Sequence, residues 1–187
     1  MTVLLESELR MEAIQDAAKK IMTTARTAPK GKGQDNLVLA LLDEEGIKLV
    51  SDKMKEMVKR DGLPDFFLRD AVNILSAQAM VVFGTRIEPM GLGLCGMCGF
   101  ANCGEKSKHP NHPCVFNTGD LGIAMGSAAS MAMDCRIDNR IMYTVGQAIL
   151  EMQLLDKDVK IIYGMPLSIS GKNPFMDRKM DDLLANA

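Results

Sequence analysis

Four of the chain's five cysteines fall within twenty positions, and this segment constrains the fold more than any other feature. It reads Cys95-Gly-Met-Cys98-Gly-Phe-Ala-Asn-Cys103, then ten residues, then Cys114. Two cysteines two residues apart grip one centre from a single tight turn. A third four residues on adds a ligand, and a fourth returns from a loop. Four thiolates are the usual complement of an iron–sulfur cluster. Glycines at 91, 93, 96, 99 and 104 let the backbone wrap closely and aim N–H groups at the sulfurs, which tunes the potential. A tetrahedral zinc site is the alternative, since four thiolates or three with a histidine also suit that ion. His109 and His112 lie in the same segment and are the fallback for Cys114. Cysteine clusters in reducing compartments are read as metal or redox chemistry rather than as disulfides. Cys135 stands apart and reads as a small core residue.

The rest of the chain provides the frame. Its 187 residues fit one domain over 1–187, with 90–117 as a cluster-binding insertion. Hydrophobic residues make up 47% and charged residues 25%, enough to build a core. A net charge of −2 points away from nucleic acid and from anionic membrane. The longest weakly polar run, 121–133, is shorter than the roughly 20 residues that span a bilayer. No basic-then-apolar leader opens the chain, so a cytoplasmic protein is expected.

Periodicity predicts helices over 8–26, 44–60, 66–77, 119–133, 141–155 and 176–186. Thr118 or Asp120 is the expected cap of the fourth. Its glycines and alanines, at 122, 124, 126, 128 and 129, predict close approach of another element. Strands are expected over 37–42, 79–84 and 159–163. The class is α+β, a mixed sheet flanked by helices with the cysteine-rich loop inserted.

Two loops carry basic residues between glycines. Arg26-Thr27-Ala-Pro29-Lys30-Gly31-Lys32-Gly33 follows the first helix, and Gly164 to Arg178, with Pro166, Lys172 and Asn173, follows the last strand. Lysines supply charge and glycines form backbone nests, so both loops are candidate phosphate sites. Solvated basic connectors are the alternative.

The cysteine segment resembles the motif of the four-cysteine domains in Rnf-type electron-transport subunits and corrinoid iron–sulfur proteins, which hold a [4Fe–4S] cluster. The whole chain resembles the ferredoxin domain-containing family. The matching stretches are 25–36, 69–73 (Arg-Asp-Ala-Val-Asn), the cysteine motif, 120–124, 138–143 (Asp-Asn-Arg-Ile-Met-Tyr) and 164–173. More distantly it is similar to FMN-dependent nitroreductases, through Ala-Pro-Lys-Gly, the helix from Asp120 and the strand ending Gly-Met-Pro166. It lacks the paired arginines that hold the FMN phosphate there.

These resemblances imply a nitroreductase-like fold and a cluster on Cys95, Cys98, Cys103 and Cys114. They imply FMN on Arg26, Thr27, Pro29, Lys30, Gly31, Lys32, Gly33, Gly164, Pro166, Lys172, Asn173 and Arg178. A homodimer with flavin at its interface follows, serving a redox partner protein or a small-molecule acceptor. The implied activity is that of a flavin-dependent oxidoreductase. A zinc-stapled binding module and a flavin-free iron–sulfur carrier are the alternatives.

Overall fold

The computed structural model describes residues 2–178. Four strands form one antiparallel sheet in the order β1 (Leu37–Leu42), β2 (Ala79–Arg86), β4 (Val159–Ser168), β3 (Asp138–Asn139). The α+β class holds, and every strand pair is antiparallel. Strand β2 pairs on both sides and is covered on both faces. Its side chains alternate: Ala79, Val81 and Phe83 face one helical layer, Met80 and Val82 the other.

The first layer is α1 (Glu6–Thr27) on α5 (Val115–Asp134). Helix α1 buries Ile14, Ala17, Ala18, Ile21 and Ala25. Helix α5 meets them with Leu121, Ala124, Ala128 and Ala132, all essentially without exposure. The four-residue alanine spacing lets the two backbones approach. The glycines do not serve that purpose, because a Cβ added at Gly122 or Gly126 meets nothing within 4 Å.

The second layer is α2 (Glu44–Asp61), α3 (Asp65–Asn73) and α6 (Tyr143–Met152). Asp43 caps α2 by accepting from the Gly46 N–H, and Gly62 ends it at φ 64°.

Several elements differ from the periodicity: α3 gives way to a 3-10 turn at Ile74, α6 is shorter at both ends than 141–155, and β2 runs on to Arg86. Helix α5 starts at Val115 with Cys114 as its N-cap, four residues earlier than expected. Within the cysteine segment a short helix, α4 (Cys103–Lys106), interrupts the loop. Strand β4 runs on through Gly164 and Pro166 to Ser168. Both breakers have a place there. Helix α6 lies against Gly164, where a Cβ would fall 2.3 Å from Val145 Cγ1. Gly164 exchanges both backbone hydrogen bonds with Met142 on the β3 side. Alternation points Pro166 to that same side, between this bridge and the Asp138–Ser168 pair, where no ladder N–H is required. The terminal helix expected over 176–186 falls largely outside the described residues; Pro174–Met176 is a 3-10 turn.

Candidate functional site

The cysteine segment leaves β2 and returns into α5, and it is pinned at both ends. The Glu88 N–H donates to Asn117 Oδ1 at 2.9 Å. Met90 is buried, and its carbonyl accepts from Lys32 Nζ at 3.3 Å. Between Cys95 and Cys98 the chain makes a tight turn, closed by the Gly99 N–H on the Gly96 carbonyl at 2.9 Å. Gly99 sits at φ +88°, a conformation that excludes most side chains. Asn102 then caps α4: its Oδ1 accepts from the Glu105 N–H, while Glu105 accepts from the Ala101 N–H. This reciprocal cap fixes Cys103 at the start of the helix.

Cys95, Cys98 and Cys103 are half-buried, Cys114 is buried, and all are free thiols. Among the described residues, no three or more His, Cys, Asp or Glu side chains are gathered around one point that could hold a metal ion. The two histidines are engaged otherwise. Phe100 stacks on His109 at 5.0 Å and meets the edge of His112 at 5.3 Å. Lys106, next in α4, is 1% exposed and has no carboxylate at ion-pair distance among the described residues. Cys135 is half-buried at the end of α5, packed against the first core.

Residues of the first basic loop are largely committed to the protein itself. Lys30 Nζ donates to the carbonyls of Arg26 (2.6 Å) and Ala28 (2.7 Å), capping the end of α1. Arg26 pairs with Asp35 and donates to the Leu37 carbonyl. Burial opposes ionisation of Asp35, but the Arg26 guanidinium and the Leu37 N–H outweigh it and hold its pKa below the ordinary value. Thr27 bonds back to the Thr23 carbonyl. The Gly31 N–H donates to both Asp120 oxygens at 3.1 Å, tying the loop to α5. Lys32 (φ 53°) and Gly33 (φ 68°) complete a 3-10 turn.

Pro29, Lys30 and Gly31 line a cleft of about 430 Å³ with Val115, Phe116, Gly119, Asp120 and Ile123 of α5. Its remaining wall is Met97, the residue before Cys98. The cysteine segment and the Ala-Pro-Lys-Gly loop therefore share one cavity.

Residues of the second basic loop do not join it. Gly164 and Pro166 lie inside β4, not in a loop as expected, and Gly164 is closed off by Val145. Lys172, Asn173 and Arg178 lie beyond the Ser168 end of β4. The register pairs Leu42 with Met80 and Ala79 with Leu167 at that end, and Leu37 with Thr85 at the other. A six-residue strand at ~3.3 Å per residue separates the two loops by roughly 20 Å.

At that far end the structure builds a polar cluster that the sequence reading missed. Asp70, 3% exposed, accepts from Arg69 at 2.9 Å, Arg140 at 3.4 Å and Thr144 at 2.9 Å. Arg140 also donates to the Phe175 carbonyl, and Asn73 Nδ2 to the Asp177 carbonyl. Lys172 pairs with Asp177, and Asn173 caps the turn at Phe175. Burial lowers the Arg140 pKa, and Arg178 and Arg69 lower it further against the pull of Asp70. Two guanidiniums thus meet on one carboxylate, and a third, that of Arg178, lies near Arg140. The signal available in the sequence was the pair of stretches 69–73 and 138–143, whose residues meet here.

The fold is that of nitroreductases. A nitroreductase family protein from Clostridium novyi superimposes with a TM-score of 0.60 at 15% identity, over 94% of this chain and 79% of that one. The nitroreductase CinD from Lactococcus lactis, in complex with nicotinic acid, gives 0.58 at 12%, over 97% and 87%. A nitroreductase with bound FMN from Bacteroides fragilis gives 0.57 at 10%, over 88% and 82%. Among the described residues no helix is long and apolar enough to cross a membrane. In sequence, a protein of Archaeoglobus fulgidus described only as uncharacterized is 36% identical over 182 residues, 92% of this chain and 96% of that one. Residues 110–178, which include Cys114 and the Arg140, Thr144 and Lys172 side of the far polar cluster, match the family described as "uncharacterized protein containing a ferredoxin domain (DUF2148)", and the chain belongs to that family.

Proposed function

We propose that the protein is a cytoplasmic redox protein, which passes electrons between a [4Fe–4S] cluster on Cys95, Cys98, Cys103 and Cys114 and an FMN held by two copies of the chain. The observation that carries this reading is the shared cleft: Met97, within the cysteine turn, faces Pro29–Gly31 and the first turns of α5. Four free thiols lie in one segment between two pinned ends, and the loop between those ends would draw them together around the cluster. Lys106, one turn after Cys103 in α4, would supply positive charge to an anionic tetrathiolate cluster.

FMN would supply hydride and one-electron chemistry. The chain's part is to bind and orient it. Pro29, Gly31 and Phe116 offer an apolar wall, with Asp120 holding the loop in place. The cluster of Arg69, Arg140, Lys172 and Arg178 offers the charge for a phosphate, in place of the arginine pair the chain lacks. These two parts lie at opposite ends of one sheet. A flavin that uses both therefore needs the cleft of one copy and the polar cluster of another, which is the reason for a homodimer.

Anaerobic purification followed by iron, sulfide, zinc and flavin analysis tests the reading. Iron and sulfide in equal amounts with flavin released on denaturation support it. Colourless protein with stoichiometric zinc refutes it, and iron–sulfur protein without flavin leaves a simple electron carrier. Cys98→Ser should remove the metal; full metal content in that variant would show the ligand set to be wrong. Arg140→Met should weaken FMN more than riboflavin, because the lost contact is to phosphate. Equal binding of FMN by that variant and wild type would remove the phosphate site from this end.

A further inference from the structure

Two side-chain atoms are buried with no hydrogen-bond partner among the described residues, and one of them, Asn117 Nδ2, stands in the first turn of α5. Asn117 is 1% exposed. Its Oδ1 accepts the Glu88 N–H at 2.9 Å, which fixes the amide and leaves its N–H arm without an acceptor. A buried donor left unpaired costs about 1–3 kcal/mol, and native structures rarely keep one without a reason.

Cys114 is three residues earlier, at the N-cap. In reciprocal capping the N-cap side chain reaches the backbone of the third residue and the third side chain reaches back to the N-cap, so the two side chains lie on the same side of the first turn. Residues three apart also share a helix face. The Cys114 side chain accepts no capping hydrogen bond. The first-turn N–H groups of α5 have no helical acceptors, so the helix presents its positive end at this residue. A buried sulfur without a donor and a buried donor without an acceptor thus stand on one face of one turn.

We propose that Asn117 Nδ2 donates a hydrogen bond to the Cys114 sulfur in the metal-loaded protein. Asn117 is then a positioning residue, which seats the fourth ligand and favours the reduced, more negative state of the centre. This rests on the four-cysteine reading above. It selects Cys114 over His109 and His112, which are packed on Phe100.

The test compares wild type with Asn117→Leu and Asn117→Asp, each loaded anaerobically with iron and sulfide. Both variants lack the donor, and only one adds charge. Iron per chain and midpoint potential are measured in mediator titrations. Both variants should shift the reduced-to-oxidised ratio about tenfold toward oxidised, about 59 mV lower for one electron. An unchanged potential in Asn117→Leu with iron retained overturns the contact and leaves the cluster reading intact. Wild type that takes up no iron and sulfide overturns both. If neither variant holds iron, the wild-type Fe–S stretching bands decide: a shift in deuterium oxide is expected, and its absence overturns the contact.

Discussion

Helix α6 and strand β4 meet through glycine on both sides, and Gly146→Ala is the substitution that tests this contact. A Cβ at Gly146 would fall 1.8 Å from the Ile162 carbonyl oxygen and 2.4 Å from its carbon. Those are backbone atoms of a paired strand, so no rotamer change relieves the overlap. Restoring ordinary contact requires α6 to retreat by roughly 1.5 Å, because packed interiors leave no spare room. Val145, Ala148 and Ile149, none more than 1% exposed, retreat with it. Overpacking costs about 1–3 kcal/mol, and a gap of 0.5–1 Å forfeits a quarter to a half of each dispersion contact it opens. The expected loss is therefore about 3 kcal/mol, which for a chain of this size lowers Tm by roughly 6–12 °C. Thr144 rides on the same helix, so its bond to Asp70 is disturbed too. Urea denaturation followed by far-ultraviolet circular dichroism measures the loss. Gly126→Ala is the control: its Cβ meets nothing, and alanine in a helix interior should gain about 0.5–1 kcal/mol. A Gly146→Ala unfolding free energy within 1 kcal/mol of wild type would refute the close approach of α6 to β4.

Asp70→Ala should cost about 3 kcal/mol in the same assay, because it strands two half-buried guanidiniums and the Thr144 hydroxyl; a loss under 1 kcal/mol would show the cluster to be solvated. Lys106→Met should leave the metal-free protein at least as stable, since most of the buried side chain is aliphatic and its ammonium has no carboxylate at ion-pair distance among the described residues, yet lower the potential of the loaded one; a destabilised metal-free protein would refute this. Arg60 and Lys53 hydrogen-bond the Glu151 carboxylate and hold its pKa down at about 2. A depressed carboxylate contributes stability above its ordinary pKa of 4.5 and loses it as pH falls toward 2, so wild type and Glu151→Gln should differ at pH 7 and converge near pH 2. The difference should also shrink in high salt. Gly122→Leu points a side chain from the open face of α5 and should leave the monomer fold intact while breaking a dimer that packs there, read by sedimentation.

Where the sequence departs from the fold, residue type and residue role diverged. Gly164 and Pro166 read as breakers, yet both lie within β4. The glycine is there because α6 leaves no room for a Cβ, and the proline faces a gap in the ladder. Neither reason is local, so neither is visible in a window of sequence. Strand β3, two residues long, has no periodicity to read. The first turn of α5 is hidden from periodicity because Val115, Asn117 and Thr118 are weak helix formers. Its alanines, not its glycines, receive α1. By contrast α2 was legible to within a residue, since Asp43 and Gly62 are strong start and stop signals.

The candidate site divides the same way. Spacing singles out the four cysteines as candidate ligands, which the structure holds as free thiols in one segment. It could not separate a lysine that binds phosphate from one that caps a helix, and Lys30 caps α1. It also missed Arg140 and Arg69, which meet on Asp70 across 70 positions of chain. What joins these findings is the sheet. Its Leu37 end carries the cleft and the cysteine segment, while its Ser168 end carries the guanidiniums. On the function proposed above, one chain would separate an apolar cleft for a ring from a charged cluster for a phosphate by the length of a strand. A ligand with both groups could then reach both only across two copies, so flavin binding and self-association should be lost together. A monomeric variant that still binds FMN with wild-type affinity would break that link.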